Sequence, residues 1–322
     1  MWISISGFPL AVFLSIYGVL ADTVSPINKL PIFYDTSDIH LVNASHGLDS
    51  FWGSSFIRTT NNHAFLISAN IITNNGTATQ RAGFHSVDDS LSDTALTRNF
   101  QAAVLAAGSD GTAEPFNITT QDGRFAMESI PTSNCDSAEA GAQAFPPMHI
   151  FSSIQDISFD IDIYMQGPVI LNAGIGSFQW GGSIQHHISL SAARPSGTIT
   201  VNNEILTIDS ESSFTWYDRQ WGPTLPDHLT WFGLYVTAPD NTRSYLSVWN
   251  WQDSINGDKS FVTIQEENGS RNIVVPVMAF DPSDTLLFTS SVTGLVYPLE
   301  YNVTLEDGTE FRVRSLRPIK SM

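Results

Sequence analysis

Nine consecutive residues hold the densest group of aromatic and charged side chains in the chain: Phe214-Thr215-Trp216-Tyr217-Asp218-Arg219-Gln220-Trp221-Gly222. If the segment is a β-strand, Trp216 and Asp218 share one face, and the other carries Tyr217, Arg219 and Trp221. Whichever face is interior, a charged group lies beside aromatic rings. Burial of a charge is costly unless the charge is paired or protonated. The segment therefore predicts either a ligand site or a structural Asp–Arg pair that closes one end of a β-barrel.

Alternation of apolar and polar residues continues along much of the chain. It is clear over residues 157–164 and 245–251, whereas residues 230–237 are apolar or aromatic on both faces, as in a strand covered on both sides. Turn residues at 202–204, 267–269 and 306–308 divide further strands into hairpins. Many short strands with regular turns are typical of sandwiches and barrels, so an all-β fold is predicted.

One segment departs from this pattern. Between Thr94 and Ala107 apolar residues recur at helical spacing. Asp93 is suited to cap the N-terminus of such a helix, and Gly108 is suited to end it. Residues 86–150 around it are rich in Ser, Thr, Gly, Ala and Pro. They are predicted to form a short loop-and-helix insertion in the first β-domain.

The organisation of the chain is predicted from its length, its N-terminal segment and one interruption of the strand pattern. Residues 1–21 carry no charged side chain and end in Val19-Leu20-Ala21, which suits signal-peptide cleavage, with an uncleaved anchor as the alternative. Arg194-Pro195-Ser196-Gly197 interrupts the strand pattern. The prediction is a signal peptide at 1–21, a first β-domain at 22–190 and a second at 191–322.

The expected compartment is the outside of the cell or the lumen of the secretory pathway. Five sequons support that route as glycosylation sites, at Asn43, Asn75, Asn117, Asn268 and Asn302. A single cysteine, Cys135, excludes an intramolecular disulfide and any zinc site built on several thiolates. No stable membrane span is expected once the signal peptide is removed.

Charge and motif content exclude several classes of partner. The chain has 14 basic and 32 acidic residues, a net charge of −18, which argues against nucleic acid and lipid surfaces as partners. The adjacent His186 and His187 would point to opposite faces of a strand, so no metal site is expected. The sequence has no Gly-x-Ser-x-Gly elbow and no phosphate-binding glycine loop. No cofactor is therefore predicted.

The central segment also resembles a known signature. Trp216-Tyr-Asp218-Arg-Gln-Trp221-Gly222 is similar to the Asp-(His/Arg)-(Asn/Gln)-Trp-Gly motif of the carotenoid 1,2-hydratase and kievitone hydratase-like superfamily, which includes fungal Diels-Alderases of secondary metabolism. Ser50-Phe-Trp52-Gly53 looks like the first strand of such proteins, and Gly197-Thr-Ile-Thr-Val201 like the strand that opens their second domain. The resemblance implies two lipocalin-like β-domains with a ligand pocket in or between them.

Two reactions suit such a pocket and a hydrophobic terpenoid or polyketide substrate. In a hydratase, a partly protonated Asp218 would protonate an alkene of an isoprenoid or flavonoid. In a (hetero-)Diels–Alder cyclase, the pocket would fold the substrate while Arg219 or Tyr164 donates a hydrogen bond. The aromatic walls would come from Trp52, Trp180, Trp216, Trp221, Trp231 and Trp249.

The sequence favours the cyclase, because no second proton-transfer group is identifiable near Asp218. A secreted carbohydrate-binding module or glycosidase is a further alternative, since exposed tryptophans and abundant carboxylates suit sugars. The sequence leaves the oligomeric state open.

Overall fold

The structure is a computed structural model. It describes residues 47–74, 77–86, 95–102, 104–107, 117–120, 122–130, 147–154, 157–223, 227–267, 272–289 and 294–315. The predicted signal peptide, the sequons at Asn43, Asn75 and Asn268, and Cys135 lie outside these residues.

The described residues form twenty-two β-strands. The first eleven are β1 (Leu48–Arg58), β2 (Ala64–Asn74), β3 (Thr77–Ser86), β4 (Ala95–Ala102), β5 (Val104–Ala107), β6 (Asn117–Thr120), β7 (Phe125–Ser129), β8 (Met148–Ile154), β9 (Ile157–Tyr164), β10 (Val169–Leu171) and β11 (Ser177–Trp180). The others are β12 (Ser183–Val201), β13 (Glu204–Thr207), β14 (Phe214–Gly222), β15 (Asp227–Thr237), β16 (Arg243–Gln252), β17 (Lys259–Glu266), β18 (Asn272–Pro282), β19 (Leu287–Thr289), β20 (Val296–Pro298), β21 (Glu300–Leu305) and β22 (Glu310–Arg314). Two single 3₁₀ turns lie at Asn172–Gly174 and Ser210–Ser212.

The strands form two large antiparallel sheets and one small one. The first sheet has fourteen strands and runs β4-β3-β2-β1-β14-β12-β9-β8-β7-β6-β5, with β10, β11 and β13 added to β12. The second sheet runs β15-β16-β17-β18-β21-β22, and β19 pairs with β20. Each large sheet buries one apolar face, represented by Phe51, Ile188 and Tyr217 in the first and by Leu234 and Val248 in the second. Alternating burial along the strands therefore places one core on each sheet.

The all-β prediction is confirmed, as are two of the hairpins. β12 and β13 meet at a two-residue turn whose Asn202 and Asn203 have φ of 52° and 67°, the left-handed conformation of a tight hairpin that asparagine tolerates well. β21 and β22 join through the turn after Leu305, where Gly308 has φ of 82°. β17 pairs with β18 as expected, and Asn268 and Gly269 of their turn lie outside the described residues.

The predicted helix at Thr94–Ala107 is wrong. This segment forms β4 and β5, and β4 pairs with β3 from Ala78↔Ala102 to His85↔Ala95. A short amphipathic pattern stabilises a helix only marginally in water, whereas pairing with β3 satisfies a whole edge of backbone groups. The described parts of the surrounding insertion are likewise strands, β6 to β8, which extend the first sheet.

The interruption at Arg194-Pro195-Ser196-Gly197 lies inside one continuous strand, β12. The first half of β12 pairs with β14 and the second half with β9, and the ladder to β14 shifts register between Leu190 and Ala193. The proline and glycine therefore follow a change of strand partner. The division of domains at 190/191 remains a prediction, although the change from the first to the second large sheet comes between β14 and β15.

Gly197 occupies a crowded position within β12. Its φ is +120°, and a Cβ atom there would lie 2.2 Å from the backbone oxygen of Asp160 on β9. Only glycine fits this close approach of two strands. Within the described residues, no helix is long and apolar enough to cross a membrane.

Candidate active site

β14 presents two different faces, as its alternation predicts. Tyr217 and Trp221 point into the apolar core of the first sheet. Trp216 points the other way, toward the second sheet, where its ring lies 5.9 Å from that of Trp231 on β15. Asp218 shares the face of Trp216 and accepts a hydrogen bond from its indole Nε1 at 2.9 Å. The candidate site therefore lies between the two sheets rather than inside the first.

Asp218 is buried, and three groups converge on one of its carboxyl oxygens. Ser189 Oγ donates to Oδ1 at 2.5 Å, and the Trp216 indole donates to the same atom. His187 Nε2 lies 3.7 Å from Oδ1. No described residue forms a hydrogen bond or an ion pair with Oδ2, and the Asp218 side chain is 8% exposed. If the carboxyl is protonated, its proton therefore belongs on Oδ2, the oxygen left open to a substrate.

The surroundings of Asp218 favour that protonated form. Burial raises the pKa of the Asp218 carboxyl to about 7, against the hydrogen bonds from Ser189 and Trp216, which lower it. A carboxyl group with this pKa is half protonated near neutral pH and can act as a general acid.

His187 is the neighbour that the sequence did not reveal. It is buried on β12, and its ring meets that of Trp249 edge to face at 4.6 Å. Burial, together with a smaller effect of the positive charge of Arg219, lowers the pKa of His187 to about 3. The imidazole is therefore neutral at neutral pH, and its approach to Asp218 is not an ion pair.

A signal for His187 was present in the sequence. Gln185, His187, Ser189 and Ser191 occupy every second position of β12, with Ile188 and Leu190 between the last three of them, and the structure buries this polar row. The prediction that the two adjacent histidines point to opposite faces is confirmed, because His186 stacks on Trp221 at 5.0 Å instead. The register between β12 and β14 sets Ser189 directly opposite Asp218. That register could not be read from either strand alone.

The side chains of Asn172 and Trp249 connect the face of the first sheet that carries Asp218 to the second sheet. Asn172, fully buried in the turn after β10, contacts both His187 Nδ1 and Ser189 Oγ through its Nδ2, at 2.5 and 3.2 Å. The Trp249 indole donates to Asn172 Oδ1 at 3.1 Å and to Ser247 Oγ at 2.9 Å. No sequence pattern indicated Asn172, because its role depends on contacts between distant strands.

Aromatic rings enclose this polar cluster. Trp231 lies 6.4 Å from Trp249, and its indole donates to Ser247 Oγ at 3.1 Å. Trp180 lies one ring further out, 6.0 Å from Trp249. Trp52 on β1 is directly opposite Asp218 in register and half-buried. Trp52, Trp216, Trp231 and Trp249 thus border the cluster, whereas Trp221 belongs to the core behind it.

Gly233 sets the spacing between two of these rings. A Cβ atom at Gly233 would lie 2.9 Å both from Trp216 Cε2 and from a ring atom of Trp231. We expect Gly233→Ala to push the rings apart, to destabilise the fold by about 1–3 kcal/mol, and to lower catalytic efficiency about tenfold or more. Chemical denaturation and steady-state kinetics measure the two effects.

The matched control for this substitution is Gly182→Ala. A Cβ atom at Gly182 would meet only Ile255 Cδ1 at 3.8 Å, which is ordinary contact. We expect that variant to keep both stability and activity. Equal behaviour of the two alanine variants would show that the spacing of the rings does not depend on Gly233.

The other two predicted catalytic side chains lie away from this cluster. Arg219 is fully buried on the opposite face of β14, where it forms an ion pair with Asp49 and lies 4.2 Å over the Phe51 ring. Tyr164 is 38% exposed at the end of β9, opposite Arg194. The structure therefore brings neither of them to Asp218, and the adjacent Asp218 and Arg219 do not pair with each other.

The remaining predictions concern metal binding and glycosylation. Among the described residues, no group of three or more His, Cys, Asp or Glu side chains is placed to hold a metal ion. Of the sequon asparagines, Asn302 is exposed on β21, and only the backbone of Asn117 is described, on β6.

Comparison with known proteins points to an enzyme lineage. No family model matches the chain. Its sequence is 25% identical to kievitone hydratase of Fusarium solani subsp. phaseoli over 301 residues, which cover 89% of this chain and 75% of that protein. The crystal structure of kievitone hydratase from Nectria haematococca matches with a TM-score of 0.72 and 26% identity, over 91% of this chain and 82% of that one. The chain is therefore similar to kievitone hydratase in both sequence and fold.

Two further proteins resemble this chain. The dehydratase asqC of Emericella nidulans is 28% identical over 168 residues, which cover 50% of this chain and 46% of that protein. The crystal structure of CghA with Sch210972 shares the fold, with a TM-score of 0.51 and 9% identity, over 82% of this chain and 74% of that one. The sequence relatives are enzymes that add or remove water, and the resemblance inferred from the signature is confirmed.

Proposed function

We propose that the protein is a hydro-lyase that adds water to an alkene of a hydrophobic substrate, or removes it in the reverse direction. The observation that carries this proposal is Asp218, a buried carboxyl whose pKa is raised to about 7 and whose Oδ2 forms no hydrogen bond or ion pair with a described residue. The names of the two sequence relatives, a hydratase and a dehydratase, support the same reaction class.

The proposed hydration needs one acid and one water molecule. Asp218 donates its Oδ2 proton to one alkene carbon, which leaves a carbocation on the other and a carboxylate on Asp218. Water attacks the cation and then returns a proton to the carboxylate, so the sum is alkene plus water to alcohol. The two donors on Oδ1, Ser189 and Trp216, are already in place to stabilise the carboxylate as it forms.

The enclosing rings would stabilise the cation. A positive charge over the face of a tryptophan is worth about 0.5–2 kcal/mol, more when the site is dry. Trp216, Trp231 and Trp249 lie at right angles or steeply inclined to one another, so they can present faces to a ligand from several sides. The same walls would exclude bulk water and favour an isoprenoid, flavonoid or polyketide substrate over a polar one.

A (hetero-)Diels–Alder cyclisation is the second candidate. The sequence favoured it because no second proton-transfer group was identifiable near Asp218, and His187, which lies 3.7 Å from Asp218 but stays neutral at neutral pH, does not supply one. The aromatic walls still suit a cyclase, since they could hold a polyene in a reactive conformer. The glycosidase alternative has less support, because such enzymes use two carboxyl groups and the described residues set no second one beside Asp218.

Substrate turnover separates these candidates. The purified protein is incubated with kievitone, the compound in the name of the first relative, and separately with a panel of terpenoid and polyketide alkenes. Mass spectrometry then gives the masses of the products. A product that has gained or lost one water supports the hydro-lyase. A cyclised isomer of unchanged mass supports the cyclase and contradicts our proposal, and retention of sugars alone supports a carbohydrate-binding module.

The proposal predicts how activity depends on pH. Because protonated Asp218 is the acid, kcat/KM should be constant in mildly acidic solution and fall tenfold per pH unit above about pH 7. His187, whose pKa is lowered to about 3, should remain neutral throughout and add no second inflection in this range. Initial rates between about pH 5 and 9 test the prediction. A flat profile across neutral pH would show that the acid is not Asp218.

A further inference from the structure

Asn172 lies where the two large sheets meet. It occupies the single 3₁₀ turn after β10, in which Ala173 has φ of 56° and Gly174 has φ of 85°. The backbone N–H of Ala173 donates to Thr263 Oγ1 of β17 at 3.0 Å, which docks the turn on the second sheet. This left-handed turn directs the fully buried Asn172 amide back toward β12.

The orientation of the Asn172 amide follows from its partners. An indole N–H can only donate, so the oxygen of the amide must face Trp249 Nε1, at 3.1 Å. The Nδ2 group then faces β12, where it lies 3.2 Å from Ser189 Oγ and 3.5 Å from the backbone oxygen of His187. The contacts at both ends of the amide require this same orientation, because an indole N–H can only donate a hydrogen bond and a carbonyl oxygen can only accept one.

This orientation determines which nitrogen of His187 carries the proton. Nδ2 of Asn172 contacts His187 Nδ1 at 2.5 Å, and an amide nitrogen can only donate, so Nδ1 accepts. A neutral imidazole has one N–H, which must then be at Nε2, the atom that lies 3.7 Å from Asp218 Oδ1. We infer that Asn172 is a positioning residue that holds His187 as the Nε2–H tautomer and aims this N–H at Asp218.

The inference deepens the proposed function, on which its catalytic meaning rests. With Nδ1 occupied, His187 presents its N–H to the carboxyl oxygen that already accepts from Ser189 and Trp216; the distance is 3.7 Å, and a modest approach would make this N–H a third donor. It would stabilise the carboxylate that Asp218 becomes after proton transfer, without itself taking a proton. Asp218 faces His187 from β14, and the nearest cationic group, Arg219, acts on it from the opposite face of the same strand.

Nitrogen NMR on the unmodified protein tests the tautomer directly. With ¹⁵N-histidine labelling, protonated and unprotonated ring nitrogens give separate resonances, and His187→Gln identifies the signals of His187. We expect the proton of His187 on Nε2 at neutral pH. A proton on Nδ1 would overturn the inference, and this reading requires no substrate.

Asn172→Asp provides the second test. An aspartate carboxylate cannot donate to Nδ1 and would accept from it, so the proton of His187 should move to Nδ1. We expect kcat to fall about 10²-fold while KM changes much less, because binding walls are untouched and a donor to Asp218 is lost. An unchanged tautomer in a folded variant would contradict the role of Asn172.

The matched control is Asn256→Asp, which makes the same change of charge in the exposed loop after β16. It should leave the His187 resonances and kcat as they are. If Asn172→Asp fails to fold, the ¹⁵N spectrum of the wild-type protein still shows which tautomer His187 adopts. An Nε2–H tautomer in a protein that forms no water adduct would refute the hydro-lyase and leave the positioning role of Asn172 intact.

Discussion

Asp218→Asn is expected to lower kcat/KM for hydration at least about 10³-fold, the upper part of the range for loss of a general acid. The amide keeps the size of the side chain and can keep its Oδ1 as the acceptor for Ser189 and Trp216. What it loses is the acidic proton on the other oxygen. Initial rates at about pH 6 measure the loss, since most of the wild-type carboxyl is then protonated.

The stability of the same variant separates a chemical loss from misfolding. The pKa of Asp218 is raised on folding, so its contribution to stability is complete below the unfolded value and is lost as pH rises toward the folded value of about 7. At about pH 8 the asparagine variant should therefore be more stable than wild type by roughly 2–4 kcal/mol. Urea unfolding tests this. An Asp218→Asn variant that remains active would contradict the assignment of Asp218 as the acid. A variant that is inactive because it is unfolded would also contradict that assignment.

Arg219→Met is expected to lower the free energy of unfolding by about 3–5 kcal/mol, because it removes the ion-pair partner of a buried carboxylate, Asp49. The guanidinium is completely buried, ion-paired with Asp49 and stacked between Phe51 and Trp221 at 4.2 and 4.9 Å. Methionine retains most of the volume and removes only the charge and its hydrogen bonds. Urea or guanidinium unfolding measures the change.

Arg243→Met is the matched control for this prediction. Arg243 forms an ion pair with Glu267 in which both side chains are nearly half exposed, and such pairs contribute about 0–1 kcal/mol. A similarly small effect for Arg219→Met would show that its ion pair with Asp49 is not structural. Full stability with loss of activity would restore Arg219 to the catalytic role that the sequence suggested.

The sequence predicted the fold class because alternation is a local property of each strand. It failed at Thr94–Ala107, where helical spacing of a few apolar residues competed with an interaction that is not local. The free edge of β3 pairs with Ala95–Ala102 of this segment, and Val104–Ala107 pairs with β6. Spacing within a segment carries no information about such an edge, so the local pattern predicted the wrong structure.

The candidate site was predictable only in part. The central segment correctly placed Trp216 and Asp218 on one face of a strand, because that statement depends on the order of neighbouring residues. His187 and Asn172 join Asp218 only through the register of β12 and the docking of a turn on the second sheet. Arg219 was predicted as a hydrogen-bond donor to the substrate although alternation already set it on the face opposite Asp218, and on that face the structure pairs it with Asp49.

The titration of Asp218 tests the central claim most directly. Infrared difference spectra between wild type and Asp218→Asn, recorded between about pH 4 and 9, isolate the carbonyl stretch of its protonated carboxyl group. We predict a band that is present in acid and disappears with a midpoint near the pKa of about 7. A midpoint near the ordinary aspartate value of about 4 would show that Asp218 is ionised at neutral pH and would contradict its role as the acid.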